Sequence, residues 1–220
     1  MTNLRDLKLK TKTWLYNRLI GKYTIHLYRN FFEKVLPNST ILDIGVGDGH
    51  SILENIDLII AKNLKIYAID INKDEIAKFK KQINDKNIHD YFELFDTPIQ
   101  DIYDNNIPNN INYVFFSNSY SVIPNVCDTI IYIKNHFSPK NYVISTTLGD
   151  KPNSIMSFIK PNLSKILLGI DFGRYITYNQ FISEINSCSL NIIHNEITHT
   201  NYIPPYGNIN IYTFILKSCQ

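Results

Sequence analysis

The sequence is short of cysteine and of long apolar runs, and both shortages exclude classes of protein. Its 220 residues include three cysteines, Cys127, Cys188 and Cys219, which are odd in number and widely spaced. This pattern suggests neither a disulfide framework nor a CxxC metal site, and without a signal-peptide pattern it predicts a reducing, cytoplasmic location. Asn, Lys or Asp interrupts each apolar stretch before it reaches the roughly 18 residues that a membrane-spanning helix needs. We therefore expect a protein that does not span a membrane.

Acidic residues are scarce at the start of the chain. The whole chain carries a net charge of +2, but residues 1–40 carry +6 and the remainder −4. A basic arm of this kind, with Trp14 and Tyr16 interleaved, can meet an anionic lipid surface, nucleic acid or an acidic substrate, or it can be a solvated helix face. Its basic residues are Arg5, Lys8, Lys10, Lys12, Arg18, Lys22, Arg29 and Lys34.

Hydrophobic periodicity predicts an alternation of strands and helices. Residues 3–36 have helical spacing and predict two helices, closed by Pro37. Helix 177–187, with Thr177 as its cap, precedes two β-rich runs whose turn contains Gly207, so they predict a hairpin that closes the sheet antiparallel. This order favours a mostly parallel sheet with helices on both faces. The predicted strands are 40–45, 65–70, 91–95, 112–117, 141–147, 190–198 and 208–217, and the remaining predicted helices are 50–61, 73–83 and 124–136.

The most informative stretch is ILDIGVGDGH, residues 41–50, in which Gly45, Gly47 and Gly49 follow a strand that carries Asp43. A dinucleotide-binding loop has the spacing GxGxxG, whereas here the third glycine comes one position early and His50 takes its place. The spacing DxGxGxG resembles the glycine loop of class I S-adenosylmethionine-dependent methyltransferases, over roughly residues 38–147 and more loosely over the rest. An ordinary glycine-rich turn between strand and helix is the alternative.

The resemblance implies a fold, a cofactor and a division of the chain. It implies an enzyme, an S-adenosylmethionine-dependent methyltransferase, with a Rossmann-like α/β fold of seven mostly parallel strands and an antiparallel last strand. Residues 1–220 would form a single domain, with a helical arm or lid at 1–37, a cofactor-binding half at 38–147 and a substrate-side half at 148–220. S-adenosylmethionine has no pyrophosphate, so the loop needs close approach more than positive charge.

Acidic residues at the next strand ends fit the same cofactor. The family pattern implies that Asp70 accepts from the ribose hydroxyls and Asp96 from the adenine amine, although Asp70 can also cap a helix and Asp96 can also form a turn. Asp43 would hold the loop or accept from the cofactor's amino group. The expected cofactor-binding residues are Asp43, Gly45, Gly47, Gly49, Asp70, Ile71, Asp96, Thr97, Ser117 and Asn118.

The end of the fourth strand should face the transferred methyl group, because strand carboxyl ends meet at the ligand crevice. Asn118, Ser119 and Tyr120 lack the prolines that follow this asparagine in many base and amide methyltransferases, which lowers the probability of those acceptors. The candidate catalytic residues are Tyr120, Asn118 and Tyr23, the tyrosines as groups that could take a proton or wall an ammonium. No residue pattern predicts a metal site.

The acceptor is expected to be a small molecule or a lipid, such as an amine. The stretches FFSNSYSVIPN and YIPPYGNINIYTFIL are similar to bacterial phospholipid and betaine-lipid N-methyltransferases. Peripheral contact with an anionic membrane through the basic arm and residues 154–170, which carry Lys160 and Lys165, suits such an acceptor, although 154–170 can equally be a lid or core. Two alternatives stay open: an RNA or protein methyltransferase recruited by the arm, and a non-catalytic cofactor-binding partner module.

Overall fold

A computed structural model describes residues 22–102, 106–149, 173–203 and 207–219. The helices are α1 (Lys22–Lys34), α2 (His50–Leu53), α3 (Ile56–Ala61), α4 (Lys73–Lys86), α5 (Val126–Phe137) and α6 (Tyr178–Ser187). The strands are β1 (Thr40–Ile44), β2 (Lys65–Ile69), β3 (Phe92–Phe95), β4 (Tyr113–Ser117), β5 (Asn141–Gly149), β6 (Leu190–Ile203) and β7 (Gly207–Ser218).

All seven strands form one sheet in the order β3-β2-β1-β4-β5-β7-β6. The pairs from β3 to β5 are parallel, and β7 runs antiparallel to both β5 and β6. The predicted fold class, a mostly parallel seven-stranded sheet closed by an antiparallel hairpin, is confirmed. The strand order reverses between β1 and β4, and in such sheets a crevice for ligands opens at the carboxyl ends of the strands at this point.

Helices cover both faces of the sheet because alternate residues of the central strands point to opposite sides. On one face Phe115 of β4 stacks on Phe31 of α1, with ring centroids 4.1 Å apart. On the other face the next residue, Phe116, joins a buried cluster that includes Ile130 of α5 and Phe181 of α6. Both faces are apolar, as the near-continuous hydrophobic strands predict.

The predicted helix 50–61 is interrupted. Helices α2 and α3 are separated at Asn55, whose fully buried side chain donates through Nδ2 to the carbonyls of Ile25 and Ser51, at 3.1 Å each. The bond from Nδ2 to the Ile25 carbonyl ties the break to α1. The predicted cap Thr177 is confirmed: its hydroxyl accepts from the Gln180 amide at 3.3 Å, and the Gln180 side chain accepts from the Thr177 amide. The first helix predicted within 3–36 and the stretch 151–170 lie outside the described residues.

The expectation that no cysteines pair is wrong for one pair. Cys127 near the start of α5 and Cys188 directly after α6 form a disulfide, with Cα atoms 5.2 Å apart, and Cys219 is free. A separation of 61 residues hid this pairing, since it follows from α5 and α6 packing side by side on one face. Within the described ranges, no helix is both long enough and apolar enough to cross a bilayer.

Candidate functional site

The glycine loop lies between β1 and α2, at the carboxyl end of the sheet where the strand order reverses. The Gly45 amide donates to the Ile69 carbonyl of β2 at 2.7 Å, and the Gly47 amide donates to Asp70 Oδ2 at 2.9 Å. Gly47 has φ +66°, and a Cβ placed on it would meet no atom within 4 Å. The loop is therefore fastened to the neighbouring strand on one side and open at Gly47 on the other.

The other two glycines of the loop are needed for packing. A Cβ on Gly45 would lie 2.5 Å from Cβ of Ser119, and a Cβ on Gly49 would overlap the ring of Phe79, which is fully buried on α4. The Ser119 hydroxyl itself donates to the Ile44 carbonyl, so it fastens the end of β4 to β1. Gly45 and Gly49 thus shape the loop, whereas Gly47 leaves room for a ligand.

Asp43 is a buried carboxyl group beneath this loop. Its Oδ2 accepts from the Tyr28 hydroxyl of α1 at 2.7 Å, while its Oδ1 is buried and has no hydrogen-bond partner among the described residues. Burial raises the pKa of Asp43 to about 7, the Tyr28 hydrogen bond opposes this rise, and the charge of Asp70 adds to it. An ionised Asp43 therefore needs a further donor at Oδ1.

Asp70 follows β2 and bridges two loops. Besides the bond from Gly47, its Oδ1 accepts from the Asn72 amide at 2.9 Å. The cap of α4 is Asn72, whose side chain accepts from two amides of the first turn, so the alternative role of Asp70 as helix cap is not what the structure shows. Each Asp70 oxygen keeps a free acceptor direction. Next to it, Ile71 is 67% exposed and offers apolar surface at the crevice.

Asp96 and Thr97 lie at the adjacent strand end. They follow β3, and the Asp70 amide donates to the Phe95 carbonyl at 3.1 Å, which holds the two strand ends side by side. Both residues are half-buried, and the Thr97 hydroxyl donates to the Pro98 carbonyl at 3.1 Å. The structure thus brings the loop, Asp70 and Asp96 to one edge of the sheet.

The end of β4 completes that edge. Asn118 has φ +57°, its amide donates to the Ser145 carbonyl at 2.8 Å, and its Oδ1 lies 3.5 Å from the Thr147 hydroxyl of β5. Ser117 is buried, and its hydroxyl has no partner among the residues that the structure describes. Asn118 is therefore held at the crevice with its carboxamide between β4 and β5.

Tyr120 does not face the crevice, which corrects the expectation that it could act on an acceptor. It is fully buried, and its hydroxyl donates to Glu184 Oε2 of α6 at 2.9 Å. Arg174 donates to the same carboxylate at 2.6 and 2.9 Å. Burial raises the pKa of Tyr120 well above its usual range. A buried phenol of this kind cannot take a proton from a substrate near neutral pH.

Tyr23 also lies at the crevice end of the sheet, but beside the edge strand β6 rather than beside β4. Its ring contacts that of His199 on β6, with centroids 4.4 Å apart. His199 pairs with Ile211 of β7, which in turn pairs with Thr147 of β5, so both rings lie level with Asn118. Sequence reasoning did not identify His199 or Tyr28, because their contacts with Tyr23 and Asp43 join residues that are distant in sequence.

Most of the basic arm lies outside the described residues, as do Trp14, Tyr16, Lys160 and Lys165. In the described part of the arm, Arg29 pairs with Asp57 at 3.0 Å and with Glu33 at 3.3 Å. Lys34 pairs with Glu196. These two cations are thus engaged by acids of the same chain.

A separate cleft of about 200 Å³ lies between α1 and the sheet. Tyr113 and Asn141, the first residues of β4 and β5, line it together with the Lys34–Glu196 pair. It therefore opens at the amino ends of the central strands, opposite the glycine loop, and it is distinct from the site described above.

No family model matches this sequence, and no curated protein matches it either. Solved structures do match in fold. A geranyl diphosphate methyltransferase in complex with S-adenosylmethionine is 11% identical with a TM-score of 0.64, over 91% of this chain and 86% of the other. A methyltransferase from Methanosarcina mazei that depends on the same compound is 12% identical with a TM-score of 0.59, over 86% and 96%. The [4+2]-cyclase SpnF is 11% identical with a TM-score of 0.67, over 89% and 81%. The chain has the fold of class I S-adenosylmethionine-dependent methyltransferases.

Proposed function

We propose that this protein is an S-adenosylmethionine-dependent methyltransferase that acts on a small-molecule acceptor. One observation carries the proposal: the Gly47 amide is held by Asp70 in a loop that is open at Gly47 and follows the strand that carries the buried Asp43. The fold supports it, although the cyclase among the neighbours illustrates that one fold can host several reactions. The assignment therefore rests on the site.

The residues of the site fit this cofactor. The unpartnered Oδ1 of Asp43 needs a donor, which the ammonium group of the methionine portion would supply. The free acceptor directions of Asp70 suit ribose hydroxyls, and the exposed Ile71 suits the adenine ring. A dinucleotide pyrophosphate would instead bring negative charge toward two carboxylates. Asp96 and Thr97 extend the site beyond Ile71, at the adenine end.

For methyl transfer, the protein mainly has to align the acceptor with the cofactor and to shield both from water. The bound cofactor supplies an electrophilic methyl group on its sulfonium centre. No nucleophile from the protein is required for in-line displacement, since proximity and orientation supply much of the reduction in the barrier. We assign orientation of the acceptor to the Asn118 carboxamide, and a place in the wall of the acceptor site to Tyr23. Tyr120 has no part in this chemistry.

We favour a small molecule over a lipid, RNA or protein acceptor. Arg29 and Lys34 are paired with Asp57 and Glu196, so the positive charge that these two residues of α1 could offer to an anionic surface is offset by acids of the same chain. The geranyl diphosphate methyltransferase is one protein of this fold whose named substrate is small. Amine-headed lipids, RNA and protein are the acceptors against which the proposal is tested.

The test is transfer of a labelled methyl group from S-adenosylmethionine to four separate pools: small metabolites, vesicles that contain amine-headed lipids, RNA, and protein. We expect label in the metabolite pool, its loss in Asp70→Ala, and its retention in Asp74→Ala. Asp74 is a matched control because it is an exposed carboxylate in the first turn of α4. Label only in lipid, RNA or protein would overturn the acceptor class, and no label in any pool would overturn methyl transfer.

A further inference from the structure

The hydrogen bond between Tyr28 and Asp43 joins helix α1 to strand β1, which leads into the glycine loop. Tyr28 is 1% exposed and Asp43 is 1% exposed, and their oxygen atoms are 2.7 Å apart. The Tyr28 ring is fixed by edge-on contact with Phe115, with centroids 5.2 Å apart. The hydroxyl is therefore held in place by packing rather than by solvent, and it points at a group that begins the loop.

Among the residues that the structure describes, Tyr28 supplies the hydroxyl that favours the ionised form of Asp43. The sheet neighbours of Asp43 are Ala68 on β2 and Phe115 on β4, and neither titrates. The charge of Asp70 opposes ionisation, as does burial itself. Without Tyr28, Asp43 would face burial and a like charge with no described donor to offset them, and it would take up a proton more readily.

We propose that Tyr28 is a positioning residue of the cofactor site, whose hydroxyl occupies Oδ2 of Asp43, favours the ionised carboxylate and leaves Oδ1 for the cofactor's ammonium group. This role rests on the proposed function. Cofactor affinity should then depend on pH near neutrality, because a protonated Asp43 can neither attract the ammonium nor accept at both oxygens. The Tyr28 hydrogen bond lowers the pH at which that affinity is lost. This role would also make helix α1 part of the cofactor site, although α1 lies apart from the glycine loop in sequence.

The experiment is calorimetric titration of S-adenosylhomocysteine into the full chain from pH 5.5 to 9, for the wild type and Tyr28→Phe. Each result is expressed as the ratio of variant to wild-type affinity, so that titration of the ligand's own amino group cancels. A hydrogen bond to a buried charge is worth about one unit of pKa or more. For a shift of about one unit, Tyr28→Phe should bind roughly tenfold more weakly at pH 5.5, about fivefold at pH 7 and almost equally at pH 9.

Two further variants isolate the cause. Tyr142→Phe removes the same atom from a buried tyrosine on the opposite face of the sheet, and its ratio should stay near one. Asp43→Asn cannot ionise, so its affinity should be low and should lack the response near pH 7 that the wild type shows. This comparison also reports whether Asp43 is the group that titrates.

The outcomes separate the two proposals. Recovery of Tyr28→Phe at high pH supports the positioning role, because a merely structural defect would not be repaired by removing protons. An equal loss at every pH, or no loss at all, would overturn the role of Tyr28 while leaving the cofactor site in place. Absence of binding by the wild type at every pH would overturn the proposed function and, with it, this role.

Discussion

Substitution of Gly47 by alanine separates ligand space from loop stability. Gly47 has φ +66°, so any other residue costs about 1–2 kcal/mol in backbone energy. Its added methyl group meets no protein atom within 4 Å, so no further packing cost arises. In a chain of this size that cost lowers Tm by roughly 2–8 °C. The variant should therefore fold, with the new methyl group standing in the space that we assign to the cofactor.

Gly45→Ala is the matched comparison within the same loop. Its φ is +79°, and its methyl group would lie 2.5 Å from Cβ of Ser119, which is held by its own hydrogen bond to Ile44. Overpacking adds about 1–3 kcal/mol to the backbone cost. We expect Gly45→Ala to lose more thermal stability than Gly47→Ala, measured by calorimetric unfolding.

The decisive assay for Gly47→Ala is titration with S-adenosylhomocysteine at a temperature well below its Tm. We expect affinity to fall by at least tenfold in a protein that is still folded, because the methyl group obstructs close approach of the ligand to the loop backbone. Wild-type affinity in Gly47→Ala would refute the reasoning that places the cofactor against this residue.

Two other predictions concern the face of the sheet that α5 and α6 cover. Glu184→Ala should destabilise the fold by about 1–3 kcal/mol in denaturant unfolding, because it leaves the buried Tyr120 hydroxyl without an acceptor. Arg174→Ala should cost under about 1 kcal/mol, since the Arg174 side chain is 44% exposed and its removal leaves the Tyr120 bond intact; equal losses would contradict this ordering. Reduction of the Cys127–Cys188 disulfide, which spans 61 residues, should lower the free energy of unfolding by up to about 4 kcal/mol. The stability of Cys127→Ser should not respond to reductant, and an unchanged Tm on reduction of the wild type would contradict the prediction.

The sheet could be predicted from the sequence because its signals are local. Each central strand is an apolar run followed by a turn and a helical pattern, and this alternation fixes parallel pairing. The hairpin at the end followed from turn residues such as Gly207 between two β-rich runs. The break between α2 and α3 was missed because Asn55 reads as an ordinary polar helix residue. Its function is to donate to the Ile25 carbonyl, 30 residues away.

The site could be predicted only where the spacing of residues along the sequence identifies them. Gly47 and Asp70 were identified from their positions behind strands, and the structure joins them by a hydrogen bond of 2.9 Å. Tyr120 was misplaced because the alternation of β4 does not continue past Asn118, whose positive φ turns the chain toward α6. Tyr28 carries no sequence signal, since its partner lies 15 residues away in another element.

The central claim is tested most directly by calorimetric titration of the purified protein with S-adenosylmethionine, beside Asp70→Ala. We predict saturable binding in the micromolar range for the wild type and its loss in the variant, because Asp70 holds the Gly47 amide and, in the proposed function, would accept from the ribose hydroxyls. No binding by the wild type, or equal binding by Asp70→Ala, would contradict the assignment of this crevice as the cofactor site.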